Sequence, residues 1–147
     1  MSSAFSKTSA SVHGTDAELP PPTWENHSAR FSAQRDTDRV IVTADGELDA
    51  SNALEFVDYF DLCITDSTPL VVDLSGLEFF GTAGFSALHL INVRCAGAKL
   101  RWAVVPSKAV SRLLRICDPD RALPLIRSAR ALPDEDPGQS RLFQLVP

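Results

Sequence analysis

No apolar run in this 147-residue chain approaches the ~18 residues that a membrane-spanning helix needs. Its first residues lack a basic region followed by an apolar one, so a secretion signal is not expected and a cytoplasmic address is. Cysteine is scarce: Cys63, Cys95 and Cys117 stand apart, no CxxC pair occurs, and His13, His27 and His89 are not at metal-ligand spacing from them. The thiols therefore read as packing residues, and no metal is expected. Neither GxxxxGK(S/T) nor GxGxxG is present, so no nucleotide or other cofactor is implied. Glu47 and Asp49 form a carboxylate pair, yet nothing near them in sequence looks like a nucleophile or a metal set. No catalytic residue is assigned, and an enzyme is not expected.

Basic residues are missing from the middle of the chain. Between Val40 and Val93 there are nine acidic residues (Asp45, Glu47, Asp49, Glu55, Asp58, Asp61, Asp66, Asp73 and Glu78) and no Lys or Arg. From Arg94 to Arg130 the balance inverts, with nine basic residues against Asp118 and Asp120. This asymmetry is either ordinary solvation of two faces or a polar docking surface whose acidic half meets a basic partner. Nucleic acid is not expected on the basic half, because Trp102 alone is an aromatic interleaved with it.

What is present, 44% hydrophobic and 22% charged residues, suits one globular domain with its own core. Residues 1–28 are rich in Ser, Thr, Ala and Pro, without apolar periodicity, and read as a flexible tail. Arg30–Arg35 and Val40–Ala44 read as a strand hairpin across Asp36–Asp38, with Gly46 ending the second strand. Asp49 or Ser51 then offers a helix N-cap, followed by the stripe Ala53, Leu54, Val57, Phe60 and Ile64. Leu70–Leu74 reads as a buried central strand, and its Asp73 is expected to organise the following loop at Ser75-Gly76 or else to touch a partner. Thr82–Ala96 reads as a helix burying Leu88, Ile91 and Cys95, with Gly97 as its C-terminal cap.

Leu100–Val105 reads as another strand and Pro106 as the first residue of a helix. That helix has Val110, Leu113, Leu114 and Cys117 on one side and Lys108, Arg112 and Arg115 on another. Leu123–Ile126 reads as a last, edge strand, and Arg141–Val146 as an apolar end docking on the body. Alternating strands and helices predict an α/β fold with a mainly parallel sheet covered by helices.

Gly81-Thr82-Ala83-Gly84 lies where the central strand gives way to a helix. A hydroxyl there is a candidate phosphate acceptor, since backbone N–H groups and the helix dipole favour added negative charge. The plainer role is an N-cap, with the Thr82 oxygen accepting from the N–H of Phe85 or a neighbour. Of Phe79 and Phe80, alternation predicts one in the core and one near the surface.

Three motifs in order carry a family likeness: Gly46-Glu47-Leu48-Asp49, Val71-Val72-Asp73-Leu74-Ser75, and Phe79-Phe80-Gly81-Thr82-Ala83-Gly84-Phe85. They resemble the STAS domain of bacterial anti-sigma factor antagonists. The resemblance implies a STAS-like domain over residues 29–130, between the tail and a C-terminal extension over 131–147. It also implies binding to a kinase-type anti-sigma factor that phosphorylates a Ser or Thr at the helix start, with a phosphatase resetting the cycle. The matching acceptor here is Thr82, and the implied partner-binding residues are Gly81, Thr82, Ala83, Gly84, Phe85, Glu47 and Asp49. Where the family often has Asp before the acceptor and Ser or Thr after it, this chain has Gly81 and Ala83. The alternative is a non-phosphorylated small-ligand or stress-sensing interaction module, with a pocket near Asp73 and Thr82.

Overall fold

The computed structural model describes residues 19–65 and 68–130. Within them the chain forms five strands and three helices. The strands are β1 (Trp24–Glu25), β2 (Ala29–Arg35), β3 (Val40–Leu48), β4 (Leu70–Phe80) and β5 (Trp102–Val105). The helices, α1 (Ala53–Cys63), α2 (Thr82–Ala98) and α3 (Lys108–Cys117), follow β3, β4 and β5 in turn. The expectations for residues 1–18, for Asp66, and for 131–147 with its Arg141–Val146 end lie outside the described residues.

The strands lie side by side in chain order. The sheet is mixed rather than mainly parallel: β1–β2 and β2–β3 pair antiparallel, β3–β4 and β4–β5 parallel. The reason is connection length. A tight turn, closed by Asp36 N–H donating to the Arg39 carbonyl at 2.8 Å, must reverse the chain. A helical crossover such as α1 or α2 returns it in the same direction. Leu125 adds one parallel bridge to Val104 beyond β5, so the expected last strand is reduced to a single bridge at that edge. The sheet begins earlier than the sequence suggests. Trp24, placed in the tail by composition, pairs with Phe31 and stacks on its ring at 4.5 Å.

Gly46 does not end β3. It adopts φ +96°, and a Cβ there would lie 2.3 Å from the Ser28 carbonyl oxygen, so glycine lets the strand continue to Leu48. The register of β3 on β4 slips twice, between Thr43 and Asp45 and again between Gly46 and Glu47. Each slip adds one residue to β4, the signature of a bulge. The first is held by Asp73, whose Oδ1 accepts from Ser75 N–H at 3.0 Å and from its hydroxyl at 2.7 Å. This is the organising role expected of Asp73. Two bulges restore the alternation, so Leu70, Val72, Leu74, Leu77 and Phe80 all enter the core.

Helix α2 begins at Thr82 as expected, but the other helix boundaries and caps differ from expectation. At α1 the cap position is Asn52, because the Asp49 carbonyl, not its side chain, takes the Ala53 N–H at 2.9 Å. Leu54 is exposed, while Phe56, Val57, Tyr59, Phe60 and Cys63 face inward, so the buried stripe is rotated from the expected one. Helix α2 buries Leu88, Ile91 and Cys95 as predicted, but runs through Gly97 and is closed by Lys99 in the left-handed region. Helix α3 starts at Lys108, not Pro106: Ser107 is its cap, its oxygen accepting from Val110 N–H at 3.2 Å.

Candidate functional site

The sequence-predicted residues come together at one end of the sheet, where β3 and β4 run out and α1 and α2 begin. Parallel pairing sets Glu47 beside Phe79 and Leu48 beside Phe80. The Gly81 N–H donates to the Leu48 carbonyl at 3.0 Å, which ties the start of α2 to the end of β3. A Cβ on Gly81 would stand 4.0 Å from Asp49 Cβ, so Asp49 borders the helix start.

Phe79 and Phe80 divide as alternation predicts: Phe80 is buried, and Phe79 is 50% exposed. The Phe79 ring lies over Gly81, with Cε2 3.3 Å from where a Cβ would sit. An exposed aromatic ring thus covers the residue just before the threonine. Phe85, half-buried, follows one helical turn further on and stands 6.4 Å from the His89 ring, centroid to centroid.

Thr82 is exposed and is the first residue of α2. It is not the cap. Gly81 holds that position, its carbonyl accepting from Gly84 and Phe85 N–H at 2.9 and 3.2 Å, and no side chain caps the helix. The hydroxyl therefore lacks the structural task that was its plainer explanation. Its neighbours do have one. Ala83 packs on Ala53, Val57 and Ala87, sealing α2 against α1. Gly84 is buried against Phe80, where a Cβ would be 2.5 Å from Cε1 of the ring. These two pack beneath the helix start, while Thr82, Phe79 and Glu47 are exposed and Phe85 is half-buried.

One residue that sequence reading missed holds the acidic rim in place. Asn52 is fully buried; its side-chain amide donates to the Glu47 carbonyl at 2.8 Å, and its oxygen accepts from Asp49 N–H at 3.0 Å. Its position one residue before the helical stripe was the available signal. The Asp49 carboxylate is itself held below the usual carboxylate range, first by the Ser51 hydroxyl and then by the Ser51 N–H, at 2.6 and 2.9 Å. It is an anion throughout the physiological range.

This arrangement is a helix start with an exposed threonine, preceded by Gly81 close to the Phe79 ring and Asp49, with Glu47 paired beside Phe79 and Phe85 one helical turn further on. It suits recognition, with a single chemical handle. Comparison with known proteins gives the class. The STAS domain model matches residues 30–131, and the chain belongs to that family.

The particular relatives narrow it. The chain is 35% identical over 111 residues to Osmosensory protein A of Mycobacterium tuberculosis, covering 72% of this chain and 70% of that one. It is 30% identical over 105 residues to the anti-sigma-F factor antagonist RsfA of the same species, covering 68% of this chain and 81% of RsfA. In structure it resembles an anti-sigma factor antagonist from Mycobacterium paratuberculosis, with TM-score 0.57, 24% identity, and 70% and 89% of the two chains covered. It also resembles unphosphorylated SpoIIAA, with TM-score 0.55, 15% identity, and 80% and 99% covered. These two likenesses concern the fold. Among the described residues no helix is long and apolar enough to cross a membrane.

Proposed function

We propose that this protein is an anti-sigma factor antagonist that binds a kinase-type anti-sigma factor through the face formed by Glu47, Asp49, Phe79, Thr82 and Phe85. Phosphorylation of Thr82 releases it. The observation that carries this reading is the exposed Thr82 hydroxyl, free of any capping role at the first position of α2. In the transfer, the γ-phosphoryl of ATP moves to Thr82 Oγ1, the hydroxyl proton leaves, and ADP departs. A phosphatase would hydrolyse the ester and restore binding. The protein itself acts by binding, not catalysis, and such a cycle runs in the cytoplasm alongside its partner.

The physical basis of release is charge. The phosphate adds about −1.5 to −2 charges at neutral pH. Within the domain the helix start favours it by ~0.3–1 kcal/mol, so the fold survives. Across the interface a partner surface built for a neutral threonine and two aromatic rings meets a bulky dianion beside Glu47 and Asp49. Desolvation and repulsion then disfavour the complex.

Incubation with a kinase-type anti-sigma factor and ATP, followed by phosphosite mapping, tests the assignment. Label on Thr82, with affinity much reduced by Thr82→Glu, is the expected result. Binding with no label on Thr82 would leave an interaction module without a phospho-switch. The likeness to Osmosensory protein A leaves that second reading open. Unchanged affinity of Thr82→Glu would remove the switch.

A further inference from the structure

Two helices of the layer carry opposite charge on their solvent sides. Helix α1 packs over β2 and β3, α3 over β4, and α2 touches both. On α1, Leu54, Glu55, Asp58 and Leu62 are exposed, the two leucines at 68% and 66%. On α3, Lys108, Arg112, Arg115 and Ile116 are exposed, Ile116 at 74%. The three cations line an open groove of about 410 Å³ with Pro106, Ser107 and Ser111. In each set the spacing places the residues on one side of the helix. Each set also spans nine residues, about 12 Å from first to last along the helix.

Laid antiparallel, the two sets match. Leu54 meets Ile116, Glu55 meets Arg115, Asp58 meets Arg112, and Leu62 meets the aliphatic stem of Lys108. A parallel register would instead require Asp61 for Arg115, and Asp61 is already paired with Arg94 of α2. One chain thus carries both halves of a complementary contact, on helices that a single copy cannot bring face to face.

We propose that α1 of one copy docks antiparallel on α3 of a second copy. The leucines and Ile116 provide the apolar contact, and the charges set orientation and register. The two surfaces differ, so the contact is heterologous, and each bound copy leaves one surface open for the next. It uses neither Thr82 nor its neighbours and stands apart from the function proposed above.

Sedimentation velocity of the full chain tests it. The average mass should rise with concentration at about 0.1 M salt and fall to the monomer near 1 M, as the screening length drops from ~10 to ~3 Å. The double variants Glu55→Arg/Asp58→Arg and Arg112→Glu/Arg115→Glu should each be monomeric, with helix content unchanged by circular dichroism. Mixed one to one they should associate again, because each then supplies the charge that the other lacks. A wild type monomeric at every concentration overturns the proposal, as does a double variant that self-associates like the wild type, or a mixture that stays monomeric. Should a double variant fail to fold, Ile116→Ser replaces it: lost association supports the contact, and undiminished association overturns it.

Discussion

Two glycines of α2 should answer the same substitution with opposite signs. Gly97 lies inside the helix with nothing within 4 Å of a Cβ built on it. Alanine there gains helix propensity at no steric cost, so Gly97→Ala should stabilise the protein by about 0.5–1 kcal/mol. Gly84 receives the same propensity gain, but its Cβ would lie 2.5 Å from Cε1 and 2.8 Å from Cδ1 of Phe80. Carbon atoms rest at about 3.5–4.0 Å, so the ring must retreat by roughly 1 Å. Phe80 is only 5% exposed and belongs to the main core, which leaves it little room. Overpacking of that kind costs about 1–3 kcal/mol.

The propensity gain is common to both variants, so the difference between them isolates the clash. Gly84→Ala should be less stable than Gly97→Ala by about 1–3 kcal/mol. Urea unfolding followed by tryptophan fluorescence measures this, and a melt should show a gap of several degrees. Adding Phe80→Leu to each variant completes the check, for relief of the clash should appear only in the Gly84→Ala background. Equal stability of the two glycine variants would refute the packing of Phe80 under the start of α2. The geometry of the Thr82 site would then have to be redrawn.

Thr82→Ala should change stability by no more than about 0.5 kcal/mol, since the hydroxyl caps nothing; chemical denaturation decides it, and a loss near 1 kcal/mol would restore the cap reading. Asn52→Ala should cost about 2–4 kcal/mol by stranding the Glu47 carbonyl and the Asp49 N–H, measured by the urea midpoint. At alkaline pH, burial pushes the Cys63 thiol up to about 12 and the Cys95 thiol up to about 11, and burial followed by the neighbouring Cys63 pushes Tyr59 up to about 12. The unfolded chain loses these protons first. The stability they contribute is therefore intact below about pH 8.5 and lost as pH climbs towards 12, a decline that Cys63→Ala should flatten in a pH series of unfolding curves.

Much of the site was legible in the sequence because its determinants are local. The order Leu70–Leu74, Gly81, Thr82 placed a hydroxyl at a helix start, and alternation alone separated Phe79 from Phe80. What escaped depended on contacts between distant segments. Gly46 looks like a strand breaker until Ser28 is seen to occupy the space of its missing Cβ. Ser75, Gly76 and Glu78 look like a loop, whereas two bulges carry β4 through them to Phe80. Leu54 fitted the apolar stripe of α1 but stands in solvent, because the sheet beneath selects a stripe centred on Phe56 and Phe60.

Residue pattern by itself determined the succession from β2 to α3, the family likeness, the acidic middle of the chain and the place of Thr82 at a helix start. Each of these follows from periodicity, charge or turn chemistry within a few residues. The tertiary structure alone decided that Gly81 caps α2, that Ala83 and Gly84 belong to the packing beneath the site, and that Asn52 holds the acidic rim. It also decided that β1 joins the sheet and that the sheet is mixed. Those outcomes depend on which atoms meet across β3, β4, α1 and α2, and hydrogen bonds and close packing between segments far apart in sequence are set only when the chain is folded.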